Sequence, residues 1–138
     1  MGFLIDTDIW IYYFKDPDLS HRIASHFKKR LREGLFMATP TYGELLYGAY
    51  RTKEVEPQVA KINAVFLFTQ WSPMTQKTFE VWAKLKAGLS LRGEPLADMD
   101  LMIASCALEN HLTLVTNNSK HFQRIKELRL TNWVSEEP

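Results

Sequence analysis

The sequence predicts an α/β fold: a three-layer sandwich whose central, mostly parallel sheet of four to five strands is flanked by helices. Two observations predict it. Short apolar runs at 3–5, 35–38 and 112–115 alternate with longer segments whose apolar residues recur at helical spacing. The run Phe3-Leu4-Ile5 is apolar on both faces, as a strand covered by helices on both sides must be. At 138 residues the chain suits a single domain, 1–138, large enough to bury its own core.

The first strand, 3–5, stops abruptly at Asp6-Thr7-Asp8, so polar groups arrive at its carboxyl end. A short helix is expected over 9–14, then a turn at Asp16-Pro17-Asp18. A second helix is expected to start with Ser20 as N-cap and to run to Glu33, with Gly34 as its stop. After the strand at 35–38, Thr39-Pro40-Thr41 opens a helix that carries Glu44 and reaches Thr52. A helix over 57–68, a brief strand at 70–72 and a long helix over 75–90 follow. Beyond the loop at 92–95 the pattern predicts a helix over 98–110 and a strand over 112–115 ending in Thr116-Asn117-Asn118. A short helix at 119–122 and a strand at 128–130 complete the chain.

Composition narrows the function. A net charge of +1 supports no global attraction to polyanions, so any nucleic-acid grip must be local. The single cysteine, Cys106, allows no intramolecular disulfide, and in IASCALEN it reads as a small core residue. The apolar start ends at Asp6, and no run approaches the roughly twenty apolar residues of a spanning helix. A cytoplasmic protein is expected. The four histidines are scattered, which argues against zinc.

Three acids stand out by context. Asp6 follows an apolar strand, Glu44 sits in a helix otherwise poor in charge, and Asp100 lies near the start of an apolar helix. In parallel α/β sheets, ligands bind at the carboxyl ends of strands, where Asp6 and Asn118 both fall. Carboxylates gathered there repel one another, and a divalent cation removes that cost. Oxygen-only ligands suit Mg²⁺ or Mn²⁺, which can activate water toward a phosphodiester. Taken singly, these acids also have plain structural roles. Asp8 and Asp98 are placed as helix N-caps, Asp100 as a first-turn charge, and Glu44 could pair with Arg51 or Arg92.

Four blocks, FLIDTDIWIYYFK, TYGELLYGAYR, GEPLADMDLMIASCAL and LTLVTNNSKHFQRIKELRLTNW, together resemble the VapC branch of the PIN-domain family. The resemblance implies a PIN-like sandwich and a metal-dependent endoribonuclease, the toxin of a prokaryotic toxin–antitoxin pair, acting on structured RNA such as tRNA or rRNA. It implies Mg²⁺ or Mn²⁺ held by Asp6, Glu44 and Asp100, with Asn118 in a fourth position that is Asp in many relatives. Thr116 matches a hydroxyl residue beside that position, and Thr7 and Asp8 are expected to support the site. Asp98 matches an acid that joins the metal shell in some relatives. The implied partners are RNA, a cognate antitoxin docking across the early helices, and a second copy of the chain. Two rival functions stay open: a non-catalytic RNA-binding PIN-like scaffold, and a Mg-dependent phosphotransfer or receiver-like domain. The second would need a lysine after a late strand, where VTNN offers Asn.

Arg51, Arg92 and Lys120, with Lys84 and Arg124 nearby, are the expected phosphate contacts, whereas Lys28-Lys29-Arg30 with Arg32 reads as a solvated helix face. Trp10, Tyr12, Tyr13 and Phe14 are too dense for all to face inward on one helix. They are expected to leave aromatic surface that a partner covers.

Overall fold

The structure, a computed structural model, describes residues 1–138. Five strands, β1 (Phe3–Ile5), β2 (Leu35–Ala38), β3 (Gln70–Ser72), β4 (Thr113–Val115) and β5 (Leu130–Thr131), form one sheet in the order β3-β2-β1-β4-β5. Every pairing is parallel. The helices are α1 (Thr7–Lys15), α2 (Pro17–Arg30), α3 (Thr39–Tyr50), α4 (Val55–Ala64), α5 (Gln76–Leu91), α6 (Asp98–Glu109) and α7 (Ser119–Phe122). None is long and apolar enough to cross a membrane.

Side-chain alternation along the strands divides the interior in two. Leu4 and Leu114 point into one core with Leu101, Ile103 and Phe122, which α5, α6 and α7 cover. Ile5 and Val115 point into the other with Trp10, Met37 and Trp133, which α1 to α4 cover. The strand β1 pairs on both sides, Phe3 with Leu35 and with Thr113, so its backbone is satisfied, and Leu4 and Ile5 are fully buried. Cys106 is fully buried, and burial pushes its thiol up to about 11.

Helix ends differ from expectation where cap chemistry decides them. The N-cap of α1 is Asp6, not Asp8; its side chain accepts from Thr7 N. The helix α2 starts at Pro17, three residues before Ser20, because Asp16 accepts from the backbone of Asp18 and Leu19 and proline suits the first turn. Asp98 is the first residue of α6 rather than its cap, which is Ala97 with no side-chain bond. The helix α4 begins at Val55, before Pro57, and ends at Ala64 in a 3-10 turn over Val65–Leu67. The last strand lies at Leu130–Thr131, because Leu128 is needed in the core.

The aromatic run of α1 leaves less surface exposed than expected. Trp10 is fully buried among Tyr13, Phe14, Phe27 and Phe68, and Tyr12, Tyr13 and Phe14 are half-buried against the same core. Contacts with both α2 and α3 cover most of this helix, and Ile11 is the large apolar side chain it leaves exposed.

Candidate active site

The strand order sets the site. From β1 the chain winds through β2 and β3 on one side and through β4 and β5 on the other, so the sheet changes direction between β1 and β4. A crevice opens at such a switch point, beyond the carboxyl ends of the strands. Asp6 is the residue there. Its N–H donates to the Val115 carbonyl at 2.9 Å, and its carboxylate accepts from Thr7 N at 2.8 Å and from the Thr116 hydroxyl at 2.7 Å. The Thr116 oxygen in turn accepts from Asn118 N at 2.9 Å, so β4 and the turn after it orient Asp6.

Two further aspartates crowd it. Asp8, in the first turn of α1, accepts from Asn117 N through Oδ2 at 3.1 Å, while its Oδ1 is buried with no hydrogen-bond partner. Burial first, then the charge of Asp8 and to a lesser extent of Asp100, pushes the Asp6 carboxyl up to about 7. Burial also raises Asp8 and Asp100, and a charged His121 works in the opposite direction on Asp100.

Glu44 enters through a hydroxyl. The Thr7 side chain donates to Glu44 Oε1 at 2.6 Å and lies 3.0 Å from the buried Thr41 Oγ1. No pairing with Arg51 or Arg92 occurs: Arg51 lies over the Tyr47 ring, and Arg92 binds Glu94 and the Arg124 carbonyl. Asn118 hydrogen-bonds His121 Nδ1 through Nδ2 at 3.0 Å. Lys120 is exposed on the same short helix. Asp98 is turned to Lys86, 2.8 Å away on the solvent side, and exerts no resolved influence on the other acids.

His121, Thr41 and Asn117 are the site residues that sequence reasoning missed. Asn117 holds Asp8 with its N–H and links Tyr12 to Asn132 with its side chain. His121 carried one usable signal, its position three residues after Asn118 in a helical turn.

No three carboxylate, imidazole or thiol groups form a ready-made metal cage. The donors nevertheless suit a hard divalent cation. A buried carboxylate oxygen lacks a partner, and burial together with the charge of Asp8 disfavours an ionised Asp6, a cost that a cation removes.

Fold and site together define a class: a doubly wound parallel α/β domain with an all-oxygen acidic site at its switch point, of the kind that can hold a cation against a phosphodiester. The family model described as the PIN domain matches residues 3–128, and the chain belongs to that family, among its VapC-type ribonucleases. It is similar to Ribonuclease VapC2 of Rickettsia felis (30% identical over 134 residues, 96% of this chain and 98% of the relative). It is also similar to the tRNA(fMet)-specific endonuclease VapC of Shigella flexneri (29% identical over 134 residues, again 96% and 98%). Its backbone matches a chain in the crystal structure of VapBC2 from Rickettsia felis bound to a DNA fragment from their promoter, with a TM-score of 0.87, 28% identity, and coverage of 96% of this chain and 99% of the other.

Proposed function

We propose that this chain is the toxin of a VapBC-type pair, a Mg²⁺- or Mn²⁺-dependent endoribonuclease that hydrolyses phosphodiester bonds in structured cytoplasmic RNA of the tRNA or rRNA kind. The name of the Shigella flexneri relative makes tRNA the first substrate to test. The observation that carries the reading is the buried Asp6 carboxylate at the switch point, pressed by Asp8 and Asp100 and short of counter-charge.

Asp6, Asp100 and Glu44 would hold the cation, with Asp8 beside them. When bound, that cation activates a water and offsets charge on the scissile phosphate. The chain's own part is orientation. Thr116 and the Thr7 N–H fix the two oxygens of Asp6, and the Thr7 hydroxyl fixes Glu44. Asn118, steadied by His121, faces the same rim and can orient water or RNA. Because Asn118 is neutral, Asp8 is the better source of additional negative charge. Arg51, Arg92 and Lys120 are the proposed phosphate contacts, Lys120 being free of any side-chain partner. An antitoxin and a second copy of the chain are the proposed protein partners, in line with the VapBC assemblies that share the fold.

The test is cleavage of bulk tRNA on a denaturing gel with Mg²⁺ or Mn²⁺ and an EDTA control. Asp6→Asn and Asp100→Asn should each abolish cleavage while circular dichroism stays unchanged. Full activity in both variants, or cleavage indifferent to EDTA, rejects the assignment.

A further inference from the structure

A groove of about 440 Å³ lies between α5 and the segment that follows α7. Its floor is aliphatic, formed by Leu85, Leu89, Leu108 and Ile125. Its banks carry four cations, Lys84 and Arg92 on α5 and the turn after it, Arg124 and Lys126 opposite, against Glu127 in the lining and Glu94, which pairs with Arg92 at 3.2 Å. In a chain of net charge +1 this leaves a local positive excess centred on Lys84, Lys126 and Arg124.

We propose that this groove carries the single-stranded flank of an RNA away from the catalytic rim. Three observations support that occupant. The first is continuity. Arg124 follows His121 by one turn, and its guanidinium donates to the Pro95 carbonyl at 2.6 Å, while Arg92 donates to the Arg124 carbonyl at 2.9 Å. The two arginines therefore clasp the groove's upper end between the loop leading to Asp100 and the helix that follows Asn118.

The second observation is charge. Lys84 and Lys126 make no ion pair or side-chain hydrogen bond, so their ammonium groups are free for a polyanion on facing banks. The third is Gly88. Glycine inside a helix weakens it, yet a Cβ built at Gly88 meets nothing within 4 Å. No packing within the chain requires a glycine there. Its absent side chain leaves the floor deep and the α5 backbone approachable. The floor holds no aromatic ring on which a base could stack, so the groove grips the sugar–phosphate strand without reading its sequence.

The inference rests on the nuclease reading for what lies at the rim, and the experiment separates the two. The full-length chain bearing Asp6→Asn, which suspends cleavage, is titrated into 5′-labelled single-stranded RNA of about twenty or about four nucleotides, followed by fluorescence anisotropy. Adding Lys84→Glu with Lys126→Glu, two exposed and unpaired side chains, should weaken binding of the long strand by at least about tenfold. The slope of log K against log[salt] should flatten by roughly 1.4, the value for two lost phosphate contacts on a single strand. The short strand should lose far less. Gly88→Trp, which fills the groove with no change of charge, should weaken the long strand without flattening the slope by that amount. Unchanged long-strand affinity in both variants overturns the proposal. So does loss of an acidic partner protein with RNA affinity intact, which would assign the leucine floor to an amphipathic helix. If the wild-type chain fails to cleave RNA yet binds it through these residues, the groove stands and the nuclease reading falls.

Discussion

Thr7 concentrates the residue-scale argument. Its hydroxyl joins Glu44 of α3 to the start of α1, next to Asp6, and nothing else in the chain donates to that carboxylate. Thr7→Val keeps the shape and removes the donor. Groups that orient metal-binding carboxylates contribute about 10- to 100-fold to activity or metal affinity. Cleavage should therefore fall in that range with little change in melting temperature; a rate within twofold of wild type would remove Thr7 from the site. Asp8 gives a second measurement. Its partnerless Oδ1 is the atom a cation would satisfy, so Asp8→Asn should weaken Mn²⁺ binding by about tenfold in calorimetry. Equal affinity would leave Asp8 a hydrogen-bond acceptor for Asn117 and no more. The acids themselves were legible in the sequence because a carboxylate inside an apolar segment is costly and demands a reason. Their supporting groups were not. Thr116 reaches Asp6 only after the chain has closed β4 onto β1, and His121 acts on Asp100 across two helices, relations that no local pattern encodes.

At the scale of elements, caps decide what periodicity leaves open. Apolar spacing predicted every helix and strand, yet several ends moved. Ser20 is a chemically suitable cap for α2, but Asp16-Pro17 wins because Asp16 accepts two backbone N–H groups and proline is already shaped for the first turn. Asp16→Ala should cost about 1 kcal/mol, a fall of roughly 2–8 °C in a melting curve for a chain of this size. A loss below about 1 °C would mean the cap is borrowed from packing rather than from the side chain. The departure at α1 has a different origin. A helix flanked by one neighbour exposes half its surface, and four aromatic residues would overflow it. Here α2 and α3 both pack on α1, so Trp10 sits at the centre of a ring of Tyr13, Phe14, Phe27 and Phe68. How many neighbours an element has is a property of the tertiary fold, invisible in its own sequence. Trp10→Ala should accordingly destabilise by about 3–5 kcal/mol, in the range of large core truncations and not of surface ones.

At the scale of the whole molecule, the proposed cation site at the switch point ties ion binding to folding through the Asp6 proton. The sheet order brings Asp6 to the switch point with Asp8 and Asp100 acting on it, and burial holds all three above the usual carboxylate range. In the unfolded chain these groups titrate near pH 4. Between that value and about 7, where Asp6 titrates, the folded chain binds more protons than the unfolded one, so the metal-free fold loses stability as pH rises. The contribution is complete below pH 4 and gone above about 7. His26 acts oppositely, since burial lowers it and its protonation favours unfolding as pH falls below 6.5. Comparing wild type with Asp6→Asn cancels that contribution. A cation that displaces the Asp6 proton should stabilise the fold most where that proton is already scarce. Saturating Mn²⁺ should thus raise the melting temperature several degrees more at pH 8 than at pH 5 in the wild type, and by nearly equal, small amounts at both in Asp6→Asn. An equal shift at the two pH values in the wild type would show that any bound cation sits away from Asp6, and the nuclease site would have to be sought elsewhere on the chain.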